Sequence, residues 1–485
     1  MNGTENLAYL SASEALERFR SRKLSPVELV EAVIARAEQV EPTVNAFAQT
    51  YFEEAIDAAR EAEARYAGKG AAPRPLEGLP VAIKEEEPIQ GQPWTLGSLV
   101  YKDQVADHTS VFARRHLDAG AIVHARTTTP EFSCAGFTHS RLWGVTRNPH
   151  NPELAVGGSS GGSGASLAAG TSTLASGSDI GGSIRMPACA NGVVGFKPPY
   201  GRVPVDPPFN LDTYCHCGPL ARTVADCALY ENVLSGPEPT DIHTLRERVV
   251  LPDSFEGVKG LRVAYSLDLG GWSPDPDVAE NTLAVVEALR EAGAIVEEVD
   301  LQVPREKVSQ AMSIHFASGF GAWISGIVQA HPDLVSPYVI KAARLIQEEA
   351  GDASAIEGWE LECELYAPIG LLLERYDGLV VPTCRVEGLI AGEDYVERSI
   401  ATLDGVEIQD DLEAFTTPVF NVMSRCPVLA VPSGRGPRGG PTGVQIAGRT
   451  YDDLTVFRLG AALEAVRPWD QWPETVEPLA EGVSG

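Results

Sequence analysis

Residues 154–187 read LAVGGSSGGSGASLAAGTSTLASGSDIGGSIRMP, and nearly every one is small. Two Gly-Gly-Ser knots stand out, one ending at Ser159 and one at Ser183, with a small-residue run from Ala165 to Ala175 between them. Glycine permits backbone dihedrals closed to other residues and lets the chain approach a ligand closely. Each knot therefore offers a serine hydroxyl beside open backbone amides. A Gly/Ser linker has a similar composition, but linkers do not carry Leu167, Leu174, Ile180, Ile184 and Met186. The stretch belongs to the packed interior of a larger domain.

Working outward, short apolar strands alternate with helices. Upstream, Leu79 to Ile83 reads as a strand that delivers Lys84, Ser110 to Ala119 as a helix stopped by Gly120, and Ala121 to Ala125 as the next strand. Residues 1–70 read as helices that wrap the core: Ser11 and Ser13 are placed to cap the first, Ser25-Pro26 opens the second, and Phe52 to Arg65 forms the third. Downstream, residues 198–219 are proline-rich and aperiodic, the mark of a binding loop or lid.

Leu220 to Leu234 is helical. Leu261 to Tyr265, Val278 to Glu291 and Ala294 to Val299 then make a second β-α-β passage. Helices fill Arg305 to Arg375, ahead of strands at Gly378–Pro382, Val428–Val431 and Thr442–Ala447 and a last helix from about Leu454. The pattern predicts an α/β chain: one α/β/α domain over residues 1–485, with a mixed, mostly parallel central sheet covered by helices on both faces. Residues 75–235 form its catalytic core and 255–485 the second part of the sheet with its covering helices.

The 485 residues are 44% hydrophobic, enough for a large core, and carry a formal net charge of −29. That charge argues against nucleic acid and anionic membrane surfaces as partners. The N-terminus lacks the basic start and apolar core of a signal peptide, and no apolar run approaches the ~20 residues of a membrane span. We expect a cytoplasmic protein, monomeric or homodimeric, acting on a small molecule. Its eight cysteines form no CxxC pair, which predicts reduced thiols. Cys215-His216-Cys217 has the wrong spacing for two ligands to one zinc and no second ligand pair follows, so neither metal nor cofactor is expected.

Three residues carry candidate chemistry. Lys84 follows five apolar residues; burial disfavours an ammonium, so Lys84 reads either as a general base or as a strand-end lysine reaching solvent. The adjacent Glu85-Glu86-Glu87 would hold a proton on it, and we expect these carboxylates to point outward or cap the next segment. Ser183 follows Ile180-Gly181-Gly182, whose consecutive amides suit an oxyanion hole, and needs a neighbouring base. Ser159 in Gly157-Gly158-Ser159-Ser160-Gly161 also fits the G-x-S-x-G elbow of α/β-hydrolases. That reading needs an acid and one of His216, His243, His315 or His331. No Gly-Lys-Ser/Thr follows either knot, so a phosphate loop is excluded.

Taken together, Lys84, Ser159 and Ser183 resemble the amidase signature family. The likeness extends through GLPVAIKE, TTTPEF, WGVTRNPHN, VGGSSGGSGASLAAG, SGSDIGGSIRMPACANGVVGFKPPYGRVP, GPLARTVADCALYENVL, YDGLVVPT, CPVLAVPSG and PTGVQIAGRTYDD. The resemblance implies a serine amidohydrolase acting on a linear amide, with esters, aryl amides or carbamates (urethanes) as alternatives. Ser183 would be the nucleophile, Ser159 the relay after a cis bond to Gly158, and Lys84 the base. The amides of Ile180, Gly181, Gly182 and Ser183 would form the oxyanion hole. It also implies supporting roles for Ser160, Ser178, Asp179 and Arg185, the last more structural than substrate-binding. Phe132, Cys134, Gly136, Trp143 and Tyr214 are expected against the substrate, in an apolar pocket that Trp94 and Phe137 help to wall.

Two departures bear on the branch. Glu-Glu-Glu-Pro-Ile follows the lysine where many relatives have Lys-Asp-Asn, and SCAGFTH after TTPEF is unlike the glutamyl-tRNA amidotransferase branch. We therefore expect a hydrolase outside that branch. A Ser159–His esterase and a non-hydrolytic amidotransferase-type subunit remain the alternatives.

Overall fold

Ser11 accepts the Glu14 amide and caps the helix Ala12–Arg20, and Ser25 forms a capping box with Glu28 ahead of Pro26–Val44. Ser13 lies inside the first helix instead of capping it. Its amide and hydroxyl donate to Asp226 Oδ1 at 2.9 and 2.7 Å, tying that helix to Val224–Leu234. The computed structural model describes residues 6–403, 406–408, 411–469, 472, 473 and 476.

Eleven strands make the main sheet: β1 (Phe47–Thr50), β2 (Pro80–Lys84), β3 (Ile122–Thr127), β4 (Leu174–Asp179), β5 (Val194–Lys197), β6 (His216–Ala221), β7 (Arg262–Tyr265), β8 (Ile295–Glu298), β9 (Gly378–Pro382), β10 (Val428–Arg435) and β11 (Pro441–Ala447). Their spatial order is β1-β3-β2-β4-β6-β5-β10-β11-β9-β7-β8. The domain is α/β with a large mixed sheet between helices, as expected, but the sheet is not mostly parallel. Parallel pairing is confined to β3–β2–β4 and β9–β7–β8; every other junction is antiparallel. The reason lies in the connections. Parallel neighbours need a long crossover, whereas β10 turns directly into β11 and no α-helix lies between β5 and β6.

Successive strand residues face opposite sides of the sheet, and the core divides accordingly. Val380, Leu429 and Ile446 join the layer holding Pro276–Glu291 and Asp453–Val466. Their neighbours Leu379, Val381, Val428 and Ala447 join the layer holding Arg305–Ala317 and Ala355–Leu373. Each such apolar side chain removed from water contributes ~1.5–3 kcal/mol. This period-two burial fixes the register that brings the ends of β2 and β4 together.

The stretch 198–219 is only partly a loop. Residues 216–219 lie in β6, in the middle of the sheet, and Arg202 pairs with Asp453 at 2.9 Å with both side chains buried. Tyr200 donates its amide to Ser424 O at 3.0 Å and its hydroxyl to Asn210 O at 2.6 Å. Pro207, Pro208 and Leu211 are what it exposes. Among the described residues no single helix is long and apolar enough to cross a membrane.

Candidate active site

Lys84 is the last residue of β2 and is fully buried. Its amide is anchored on Ser176 Oγ at 3.0 Å, which aims the side chain along the sheet toward the end of β4. Nζ reaches Ser159 Oγ at 2.7 Å, Ser178 Oγ at 2.9 Å and Glu86 Oε2 at 3.0 Å. The strand-end lysine thus turns inward, not to solvent.

Ser159 follows a cis Gly158–Ser159 bond. Gly158 is packed so closely that a Cβ there would stand 2.3 Å from Ala135 O. Ser160 ties the first knot to the second: its hydroxyl accepts the Ser178 amide at 3.3 Å, and its amide donates to Ser183 O at 3.2 Å. The two glycine knots, separate in sequence, are therefore joined back to back at the end of β4.

The turn from Ile180 to Ser183 is held from beneath. Asp179 Oδ2 accepts the Ile184 amide at 3.2 Å and Arg185 Nε at 3.0 Å; Oδ1 accepts Arg185 and Asn421 Nδ2, both at 2.8 Å. Burial pushes the Asp179 carboxyl up, but the Arg185 guanidinium and Asn421 hold it well below the usual carboxylate range. Arg185 spends its remaining donors on Thr417 O, Gln445 Oε1 and Asn421 Oδ1, leaving none for a ligand. Thr417 Oγ1 donates to Gly181 O at 2.8 Å. Among the described residues, the amides of Gly181, Gly182 and Ser183 donate to no protein acceptor.

Ser183 opens into a cavity with Ile180, Gly181, Ser133 and Cys134. The helix Arg305–Ala317 supplies its apolar wall through Val308, Met312 and Phe316, and Glu349 and Asp411 bring carboxylates to it. Of the five residues expected against substrate, Cys134 lines this cavity and the other four do not. Phe132 packs edge-on against Tyr101 and Trp323. The Gly136 amide donates to Asp411 Oδ2. Trp143 lends its carbonyl to Asn45 Nδ2 at 2.8 Å. Tyr214 is buried, stacked on His315 at 3.7 Å and bonded to Glu362 at 2.6 Å. Aromatic residues near the motifs serve core packing, while the cavity wall comes from a helix more than 100 residues downstream.

The three glutamates turn inward, contrary to the outward orientation expected of them. Glu85 accepts the Thr95 amide and hydroxyl, Glu86 meets Lys84, and Glu87 accepts Ser110 Oγ at 2.7 Å and the Cys217 thiol at 3.5 Å. Burial pushes the Glu85 and Glu87 carboxyls up to about 7. The cause of the inward turn is Arg126 on β3, whose buried guanidinium donates to the carbonyls of Ile83, Lys84 and Glu87 and so curls the segment around itself. No histidine bonds to Ser159 among the described residues. His216 is engaged by the carbonyls of Asp179 and Ser424, and His315 pairs with Asp212 at 2.7 Å.

Comparison with known proteins adds a consistent set of likenesses. The amidase family model matches residues 28–457. An acylamidase of Rhodococcus erythropolis is 34% identical, with 96% of this chain and 97% of the relative covered. The amidase-like component of the glutamyl-tRNA(Gln) amidotransferase of Carboxydothermus hydrogenoformans is 30% identical, covering 94% and 97%. Among solved structures, a bacterial aryl acylamidase of the amidase signature family superposes with a TM-score of 0.88 at 28% identity over 97% of this chain and 98% of that one. A 6-aminohexanoate cyclic dimer hydrolase with bound substrate superposes at 0.81, also 28% identical, covering 97% and 99%.

Proposed function

We propose, from the premise that this chain belongs to the amidase signature family of amide hydrolases, that it cleaves small amides through an acyl-enzyme on Ser183. The observation that carries this reading is the buried 2.7 Å contact between Lys84 Nζ and Ser159 Oγ beside a cavity into which Ser183 opens. Ser183 Oγ attacks the substrate carbonyl as its proton passes to Ser159 and the Ser159 proton to neutral Lys84. The developing oxyanion meets the amides of Ile180 to Ser183, of which Gly181, Gly182 and Ser183 are uncommitted; preorganised donors of this kind are the largest electrostatic contribution in acyl transfer. The relay then reverses: the amine leaves with a proton, and water attacks the ester on Ser183 and regenerates the hydroxyl.

The apolar wall formed by Val308, Met312 and Phe316 supports an alkyl or aryl acyl group, in keeping with the acylamidase and aryl acylamidase likenesses. Carbamates and esters present the same carbonyl and are expected as slower side substrates. The net charge of −29 supports a free small molecule over an aminoacyl-tRNA, and the lysine contact of Ser159 argues against a Ser159–His esterase.

A fluorophosphonate probe should label Ser183, and Ser183→Ala should abolish both labelling and turnover of an aryl amide. Lys84→Ala should lower kcat/KM by about 10²–10⁴ for loss of the base. Full activity in both variants would end this reading, and a panel of anilides, aliphatic amides, esters and carbamates would rank the substrates.

A further inference from the structure

A lysine ammonium has three N–H donors, whereas the neutral amine has two and a lone pair. All three directions around Lys84 Nζ are filled by acceptors: Ser159 Oγ at 2.7 Å, Ser178 Oγ at 2.9 Å and Glu86 Oε2 at 3.0 Å. That is the coordination of an ammonium, and an ammonium cannot take a proton from Ser159. Glu86 supplies its charge partner. The same Oε2 accepts Ser133 Oγ. Burial alone would push the Glu86 carboxyl up, but Lys84 and the hydroxyls of Ser133 and Ser178 bring it below its usual range. Its neighbours do different work, since Glu85 binds Thr95 and Glu87 binds Ser110 and Cys217, and neither pairs with the lysine.

We infer that Glu86 is a positioning residue that holds Lys84 as the ammonium in the resting enzyme and thereby sets the pH at which hydrolysis begins. The inference rests on the reading of Lys84 as the base. Other charged or titratable groups face this pair without replacing Glu86. Arg126 on β3 addresses backbone carbonyls. Cys215 and Cys217, on the β6 side, are thiols that burial pushes up and so keeps neutral. Asp179 on β4 is spent on Arg185. Glu85 and Glu87, on the same turn, lie in an environment that favours their protonated forms up to about 7. For turnover, the extra proton on Nζ must leave to solvent, exposing the lone pair to Ser159. The nearby carboxylate opposes that loss until the pH is raised.

The test is the pH dependence of kcat/KM for an aryl amide, together with the pH dependence of fluorophosphonate labelling of Ser183, in wild type, Glu86→Gln and Glu86→Asp. An opposite charge at this range shifts a titration by about 1–3 units. Removing it favours the neutral amine, so the acid limb of Glu86→Gln should move down by at least about one pH unit. Glu86→Asp, which keeps the charge, should restore much of the wild-type position. An acid limb unmoved in Glu86→Gln, with Ser183 still labelled, overturns the inference while leaving the proposed function standing. A wild-type Ser183 that never labels, with Ser183→Ala still active, overturns the proposed function itself. Should Glu86→Gln fail to fold, Ser133→Ala reads the same balance from the other side. Without the Ser133 hydroxyl, Oε2 binds Lys84 more strongly and the acid limb moves up; an unmoved limb again overturns the inference.

Discussion

Asp179 and Arg185 are both fully buried and face each other through hydrogen bonds of 2.8 and 3.0 Å. A buried ion pair adds little net stability, because desolvation offsets the Coulomb gain, but removing one partner leaves an uncompensated charge and costs about 3–5 kcal/mol. Here that charge would lie directly beneath the turn carrying Ser183. Arg185→Ala should therefore lower the free energy of unfolding by about 3–5 kcal/mol, read by denaturant titration, and should slow fluorophosphonate labelling of Ser183 in the fraction that folds. Arg185→Lys should not rescue either property, because an ammonium cannot reproduce the guanidinium fork that joins Asp179, Asn421, Gln445 and Thr417. A fully stable and fully labelled Arg185→Ala would show that the turn holds itself.

The turn Ile180–Ser183 contains two glycines with opposite demands. Gly182 has φ +127° and a Cβ there would stand 2.0 Å from Thr417 Oγ1, whereas a Cβ on Gly181 would meet only Leu412 and Met312, each at 3.8 Å. Gly182→Ala should thus distort the turn and abolish labelling of Ser183. Gly181→Ala should keep labelling and fold while narrowing the cavity, so that KM for bulky acyl groups rises more than KM for acetyl ones. Equal effects of both substitutions would reject this division. The same element shows what a sequence can disclose. The serines and glycines of both knots are local and sit together in 154–187, and Lys84 ends a strand whose apolar run is plain. Asn421, Thr417 and Gln445, which fix the turn, come from more than 230 residues away, with nothing local to mark them. The inward turn of Glu85 to Glu87 depends on Arg126 from the neighbouring strand, and a polar triplet after a strand reads as exposed. Strand β1, four residues between two helices, has no alternation to announce it. The antiparallel centre of the sheet depends on β6, whose first residues are hidden at the end of a proline-rich run that reads as one long loop.

At the scale of the whole molecule, two sets of buried groups act on stability in opposite directions. Glu41, Glu85, Glu87 and Glu464 are pushed up to about 7 by burial. Between about pH 4.5 and 7 the folded protein keeps protons that the unfolded chain has lost, so their contribution to stability falls as the pH rises through that window. His116, His124, His139 and His150 are pushed down to about 4, and His216 to about 3, again by burial. Between about pH 4 and 6.5 the unfolded chain binds protons that the folded protein refuses, so the contribution of the histidines to stability rises with pH. Over most of the shared window the two slopes nearly cancel. The free energy of unfolding should therefore vary little between about pH 5 and 8 and drop below about pH 4.5, where the glutamates of both states are protonated and the histidines act alone. The balance can be broken on purpose. Glu464 accepts the Val224 amide at 3.0 Å, away from the active site. Glu464→Gln removes one falling contribution, and the variant should become more stable at pH 8 relative to pH 5 than wild type is. Denaturant titrations at pH 5, 6, 7 and 8 read this directly, and parallel curves for the two proteins would mean that Glu464 is ionised in the folded state throughout.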